Sequence, residues 1–107
     1  MDRHHIVAQA AVIKAMGHPS RLLMLQALAG GPRCVCELAE QVGSDMSTVS
    51  RHLAQLRQAG LVSDEREGTR IICHLRVPCV LDFLSCIDRV LDPHHAPALC
   101  GTRPQQG

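Results

Sequence analysis

Three stretches of the sequence predict a mostly α-helical fold with a small β-hairpin, arranged as a winged helix-turn-helix: an amphipathic helix over residues 45–60, a shorter helix just before it and two strands just after it. In the 45–60 segment (DMSTVSRHLAQLRQAG), Val49, Leu53 and Leu56 fall at i, i+4 and i+7, with Met46 and Ala59 extending the stripe, so this face belongs to a core. The opposite face carries Ser47, Thr48, Ser50, Arg51, His52 and Gln55, a set able to hydrogen-bond base edges. Asp45 is placed to cap the helix and Gly60 to end it. Residues 36–42 (CELAEQV) put Leu38 and Val42 on one face, and only Gly43 and Ser44 separate them from the cap, the spacing of a helix-turn-helix. Downstream, LVSDER, then Glu67-Gly68, then TRIICHL read as two strands joined by a tight turn, a wing.

The remaining elements follow from periodicity and breakers. Residues 1–5, with adjacent histidines, read as a frayed polar end. Residues 6–16 (IVAQAAVIKAM) form an amphipathic helix with Ile6, Ala10, Ile13 and Met16 on one stripe, widened by Val7, Ala11 and Ala15, which suits burial against a second subunit. Gly17-His18-Pro19 breaks it, and proline at a first helical position starts the next helix, 20–29, whose Leu22, Met24, Leu25 and Leu28 supply core. A final helix spans 77–91, with Val80, Leu84, Ile87 and Leu91 on one stripe. Beyond it the chain is rich in Pro, Gly, Gln and His, so residues 93–107 read as a flexible tail and 1–92 as one domain.

Composition narrows the function classes. With Phe83 the only aromatic residue among 107, the core is built from aliphatic side chains and Met, which suits packed helices. No apolar run approaches the ~18 residues that span a bilayer, and the N-terminus lacks the basic start and unbroken apolar stretch of a signal peptide, so a cytoplasmic protein is expected. Net charge is only +1, and Asp64, Glu65 and Glu67 sit among Arg57, Arg66 and Arg70. Any DNA binding would then rest on a defined site and two-fold symmetry rather than on a strong overall field. No nucleophile-and-base arrangement, phosphate loop or catalytic zinc pattern is present, which argues against an enzyme. Six cysteines in a cytosolic chain point to metal ligands, sensor thiols or packing rather than to a disulfide framework.

Taken together, the helix pair, TVSRHLAQLRQAGLV and the hairpin resemble the ArsR/SmtB family of winged-helix, metal-sensing repressors over residues 15–91. The most diagnostic pieces are Ser50 to Leu53, Ala59-Gly60-Leu61-Val62 and the HPSRLLMLQAL of residues 18–28. One departure is Met46, where the family more often carries a polar residue. The resemblance implies a homodimer whose first and last helices pair across the interface, binding an inverted-repeat operator in double-stranded DNA. Ser47, Thr48, Ser50, Arg51, His52 and Gln55 would contact bases and phosphates, and Arg66 and Arg70 of the wing would meet the backbone.

Cys34-Val35-Cys36 opens the helix before the reading helix, with Cys34 near its N-cap and Cys36 in its first turn, where free N–H groups and the helix dipole should lower thiol pKa values. Two sulfurs one residue apart can chelate a soft ion. Cys-Val-Cys-Glu-Leu resembles the metal-binding box of thiol-dependent family members, which implies that As(III) or Sb(III), or else Cd(II), Pb(II) or Zn(II), binds Cys34 and Cys36 and weakens DNA affinity. Arsenical sensors usually carry a third cysteine three residues on, where this chain has Ala39. Cys73, Cys79, Cys86 and Cys100 are candidates for a third sulfur: Cys73 reads as packed inward, Cys79 and Cys86 as interface packing, and tail Cys100 as the expected third ligand. The carboxylate–histidine site that other members carry on the last helix looks absent, since Asp82 is followed by Leu84 at i+2. Two alternatives stand beside this reading: the same repressor sensing oxidants or reactive sulfur through its thiols, and a winged-helix module for protein interaction without DNA binding.

Overall fold

The computed structural model describes residues 1–92 and 94, and the chain divides into two compact units that part after Arg76. In the first unit, α1 (Arg3–Met16) begins three residues earlier than periodicity predicts. Asp2 is the reason: its carboxylate accepts the His4 N–H at 3.0 Å, so the histidines once read as a frayed end lie in the first turn. Ile6, Val7 and Ile13 of α1 stay exposed. α2 (Pro19–Ala27) starts on proline as expected, but its cap is His18, whose Nδ1 accepts the Ser20 N–H at 3.1 Å. A single 3₁₀ turn, Leu28–Gly30, closes it.

The chain then makes an element that residue patterning does not reveal, the two-residue strand β1 (Arg33–Cys34). Cys34 ends β1 and caps α3 (Val35–Val42) in the same step. Gly43, in the left-handed region at φ 77°, turns the chain into the Asp45 cap of α4 (Met46–Gln58). Asp45 accepts the Thr48 N–H at 2.7 Å, as the sequence suggests. The wing follows as β2 (Val62–Glu67) and β3 (Arg70–Leu75), closed by the pair Glu67–Arg70 across Gly68-Thr69. Gly68 has φ 65° and Thr69 does not share it, so glycine supplies the one positive φ that this hairpin needs. All three strands are antiparallel in the order β1-β3-β2, which makes the expected hairpin one part of a three-stranded sheet.

The core lies where α2, α3 and α4 meet the base of the wing. Met24, Leu25, Leu38, Val49, Leu53, Leu56 and Val62 are at most 2% exposed. Leu22 is only half-buried. Met46 departs further: at 50% exposure it does not extend the core stripe of α4 and instead borders an open space beside Cys36. In the second unit, α5 (Val80–Leu91) follows a turn rather than starting at Val77, and leaves Phe83, Ile87, Val90 and Leu91 exposed. Among the described residues no helix is long and apolar enough to cross a membrane.

Leu53→Ala should cost about 2–5 kcal/mol of stability, since it removes a side chain 2% exposed at the centre of this core. The midpoint of urea unfolding measures it, and a loss well under that range would mean that α4 packs less tightly than described.

Candidate nucleic-acid interface and thiol site

The outward side of α4 is polar along its length, and Ser47, Ser50, Arg51 and Gln55 are exposed while Thr48 is half-buried. Ser47 donates its hydroxyl to Asp45 at 2.8 Å, which leaves its oxygen as an acceptor. Together with the Thr48 amide, this bond holds the Asp45 carboxyl below its usual range, the amide contributing most. Ser50 lies toward the wing and Gln55 toward α1, where it borders a hollow with Ala8, Ala11 and Gln58. Gln58, seven residues after Arg51 and also exposed, belongs to the same outer stripe and was missed by a reading that weighted the first turns. Arg66 is exposed on β2 opposite Ile71.

His52 does not join the open face. Its ring centroid lies 4.5 Å from that of His18, and Arg21 donates to its Nδ1 at 3.2 Å. A guanidinium can only donate, so this contact requires an unprotonated Nδ1 and therefore a neutral ring. Burial first, then the charges of His18, Arg21 and Arg51, push the His52 pKa below its usual value. Arg21 also donates to the Ala15 carbonyl, so one side chain joins the end of α1 to the middle of α4. The half-buried imidazole thus serves the α2–α4 junction.

Arg70 points to α3. Its guanidinium is 3.9 Å from Glu37 Oε1 and shares a cavity wall with Cys34. Glu37 accepts the Cys34 N–H at 2.9 Å while the Cys34 sulfur faces the Glu37 amide, a capping box in which cysteine stands where serine or threonine is usual. The Cys34 side chain is only 1% exposed and Cys36 is exposed. The Cys34 thiol is held below its ordinary value, chiefly by the hydrogen bond from Cys36 and next by Arg70, against the effect of burial. Cys36 moves the other way, since its bond to Cys34 favours keeping the proton. The expected fall of both thiols is therefore not found: Cys34 is lowered and Cys36 raised, and the two adjacent sulfurs titrate as a pair.

Cys34, Cys36, Met46, Ser50, Thr69, Arg70 and Ile71 line one cavity of about 310 Å³ between α3, α4 and the wing. Two thiols on its wall suit a thiophilic ion, but among the described residues no group of three or more His, Cys, Asp or Glu is placed to hold one. Cys73 packs inward as expected, and burial together with Asp64 pushes its thiol up to about 12, which keeps it inert. Cys79 sits at the start of α5 and Cys86 within it, in the second unit. Cys100 lies outside the described residues.

Comparison with known proteins agrees with this geometry. Residues 18–64 match the profile of bacterial regulatory proteins of the arsR family. The HTH-type transcriptional regulator YgaV of Escherichia coli is 36% identical over 85 residues, covering 78% of this chain and 86% of that one. The homodimeric winged helix-turn-helix DNA-binding domain Mb0332 of Mycobacterium bovis superposes with a TM-score of 0.76 at 32% identity, over 91% of this chain and 95% of that one. AntR, an antimony-specific transcriptional repressor, gives a TM-score of 0.74 at 28% identity, over 86% and 84% of the two chains.

The neutral His52 has a consequence for pH. Its folded pKa lies below the unfolded value of about 6.5, so between the two the unfolded chain binds more protons and stability falls as pH drops through that window. His52→Gln should lose less stability than the parent between about pH 7 and about pH 5, measured as the shift in urea midpoint. Parallel profiles for the two proteins would place the ring in solvent.

Proposed function

Because the chain belongs to the ArsR family of bacterial regulatory proteins, whose members are transcriptional regulators, we propose that it acts as a homodimeric repressor on an inverted-repeat operator and is released by a thiophilic ion bound at Cys34 and Cys36. The observation that carries this reading is the shared cavity, since the sulfur pair of α3, the first turns of the reading helix α4 and the wing form its wall together. The exposed apolar residues of α1 and of α5 offer surface to a second subunit. Two copies of α4 would enter successive major grooves about 34 Å apart. Arg51, with Ser47, Thr48, Ser50 and Gln55, would read the operator, and Arg66 would meet its backbone. His52 and Arg70 would act from behind, by holding α4 against α2 and the wing against α3.

As(III) and Sb(III) are the foremost inducers on this reading, with Cd(II), Pb(II) and Zn(II) next; AntR, a structural neighbour, is antimony-specific. Binding would draw Cys34 and Cys36 into one coordination sphere. That requires both thiols to be deprotonated and disturbs the capping box of α3. A coupling of about 1–3 kcal/mol would lower operator affinity ~5- to 150-fold. A second reading draws on the lowered Cys34 pKa, which favours oxidation or persulfidation of the same sulfurs. Mass spectrometry after arsenite and after polysulfide separates the two. The cytoplasm is the proposed location.

Arg51→Ala should weaken operator binding by about 1–3 kcal/mol in a gel-shift titration, the value of one good bidentate base contact. Unchanged affinity would mean that another face of α4 meets DNA. The double variant Cys34→Ser, Cys36→Ser should bind operator like the parent yet stay bound in arsenite; normal release by that variant would move the sensor elsewhere in the chain.

A further inference from the structure

Met46 is the side chain of this region that neither the core nor the reading face accounts for. It is the first residue of α4, half exposed, in the position where the resemblance calls for a polar group. Its place becomes intelligible from the cavity walls. Met46 lines the 310 Å³ cavity together with Cys34 and Cys36, and it also lines the neighbouring hollow together with Cys36 and Asp45. Two cysteines and a methionine therefore border one space, with Arg70 on the same wall.

From this juxtaposition we propose that the cavity is a site for a monovalent soft cation of the Cu(I) class, held by the sulfurs of Cys34, Cys36 and Met46. The proposal rests on the reading of Cys34 and Cys36 as the ligand pair and adds a third ligand and an ion class beyond As(III) and Sb(III). Thioether sulfur is a neutral, polarizable donor, and thiolate–thioether sets select Cu(I). A trivalent arsenic centre instead exchanges its hydroxides for thiolates, an exchange to which a thioether brings no charge. Zinc favours four donors from Cys, His and carboxylates, and among the described residues no cluster of three such groups exists. For the monovalent ion the balance closes without any redox partner: two thiols each release a proton, the ion takes two thiolates and one thioether, and the complex carries a single negative charge. Arg70, on the same cavity wall, faces that charge. Such an ion would join the cap of α3 directly to the first residue of the reading helix.

The test is an anaerobic titration of the reduced full chain with Cu(I) against a chromophoric chelator, run beside an arsenite titration, with X-ray absorption to count sulfur neighbours. Met46→Leu conserves volume at a half-exposed position and should leave the urea midpoint unchanged. It should weaken Cu(I) binding by about tenfold or more, the loss that even an outer-shell partner causes, remove one sulfur from the copper sphere and leave arsenite binding unchanged. Equal Cu(I) affinity in Met46→Leu, or a copper sphere in the parent without a thioether, would overturn the proposal and leave the cysteine pair as sensor. Undiminished binding of both ions by Cys34→Ser, Cys36→Ser would overturn the sensor reading itself.

Discussion

The pairing of β1 with β3 is the constraint on which the site depends. Arg33 lies opposite Cys73 and Cys34 opposite Ile72, so two residues of backbone fix the start of α3 to the distal strand of the wing. That backbone pairing, with the Arg70–Glu37 ion pair, sets where the wing stands relative to the thiols. With it, Cys34 has three tasks at one position: it ends a strand, caps a helix and offers a sulfur to the cavity. Cys34 is covered to 1% exposure, and its neighbours Cys36 and then Arg70 hold its thiol below the ordinary value against the effect of that burial.

Much of this was legible in the residues because local rules and tertiary packing agree there. Asp45 caps, Gly43 and Gly60 take positive φ, Val49, Leu53 and Leu56 are buried, and the wing falls within a residue or two of its predicted bounds. Several of the misses share another property: they depend on a partner distant in sequence or on a cap of unusual type. A two-residue strand has no periodicity to detect, so β1 emerges only through β3. His52 reads as part of a polar face until α2 brings His18 and Arg21 against it. Glu37, three residues after Cys34, did carry a signal, since the spacing of a capping box was present with cysteine in the hydroxyl's place.

Charge placement explains how a chain of net charge +1 can present a nucleic-acid face at all. Several arginines are committed internally: Arg57 to Asp64, Arg70 to Glu37, Arg21 to Ala15 and His52. The carboxylates cancel the long-range field of Arg57 and Arg70, so the wing is close to neutral despite its arginines, while Arg21 is held by neutral partners. Contacts at short range then decide binding, and the outward stripe of α4 gains weight relative to the wing.

Magnitudes also bear on how release from DNA would work. A coupling of about 1–3 kcal/mol matches the value of a single bidentate base contact, so an inducer need dislodge only one such contact. Lifting the whole of α4 off its core is too costly for that: Val49, Leu53 and Leu56 are each at most 2% exposed, and uncovering each such side chain costs about 1.5–3 kcal/mol. The first turn is different. Met46 and Ser47 are exposed, and the turn is held mainly by the Asp45 cap, directly beside the cavity that contains the sulfurs. A ligand acting on that cavity therefore has its softest point of purchase at the residues that lead into the reading face, and the buried remainder of the helix provides the fixed frame against which a small local shift is felt.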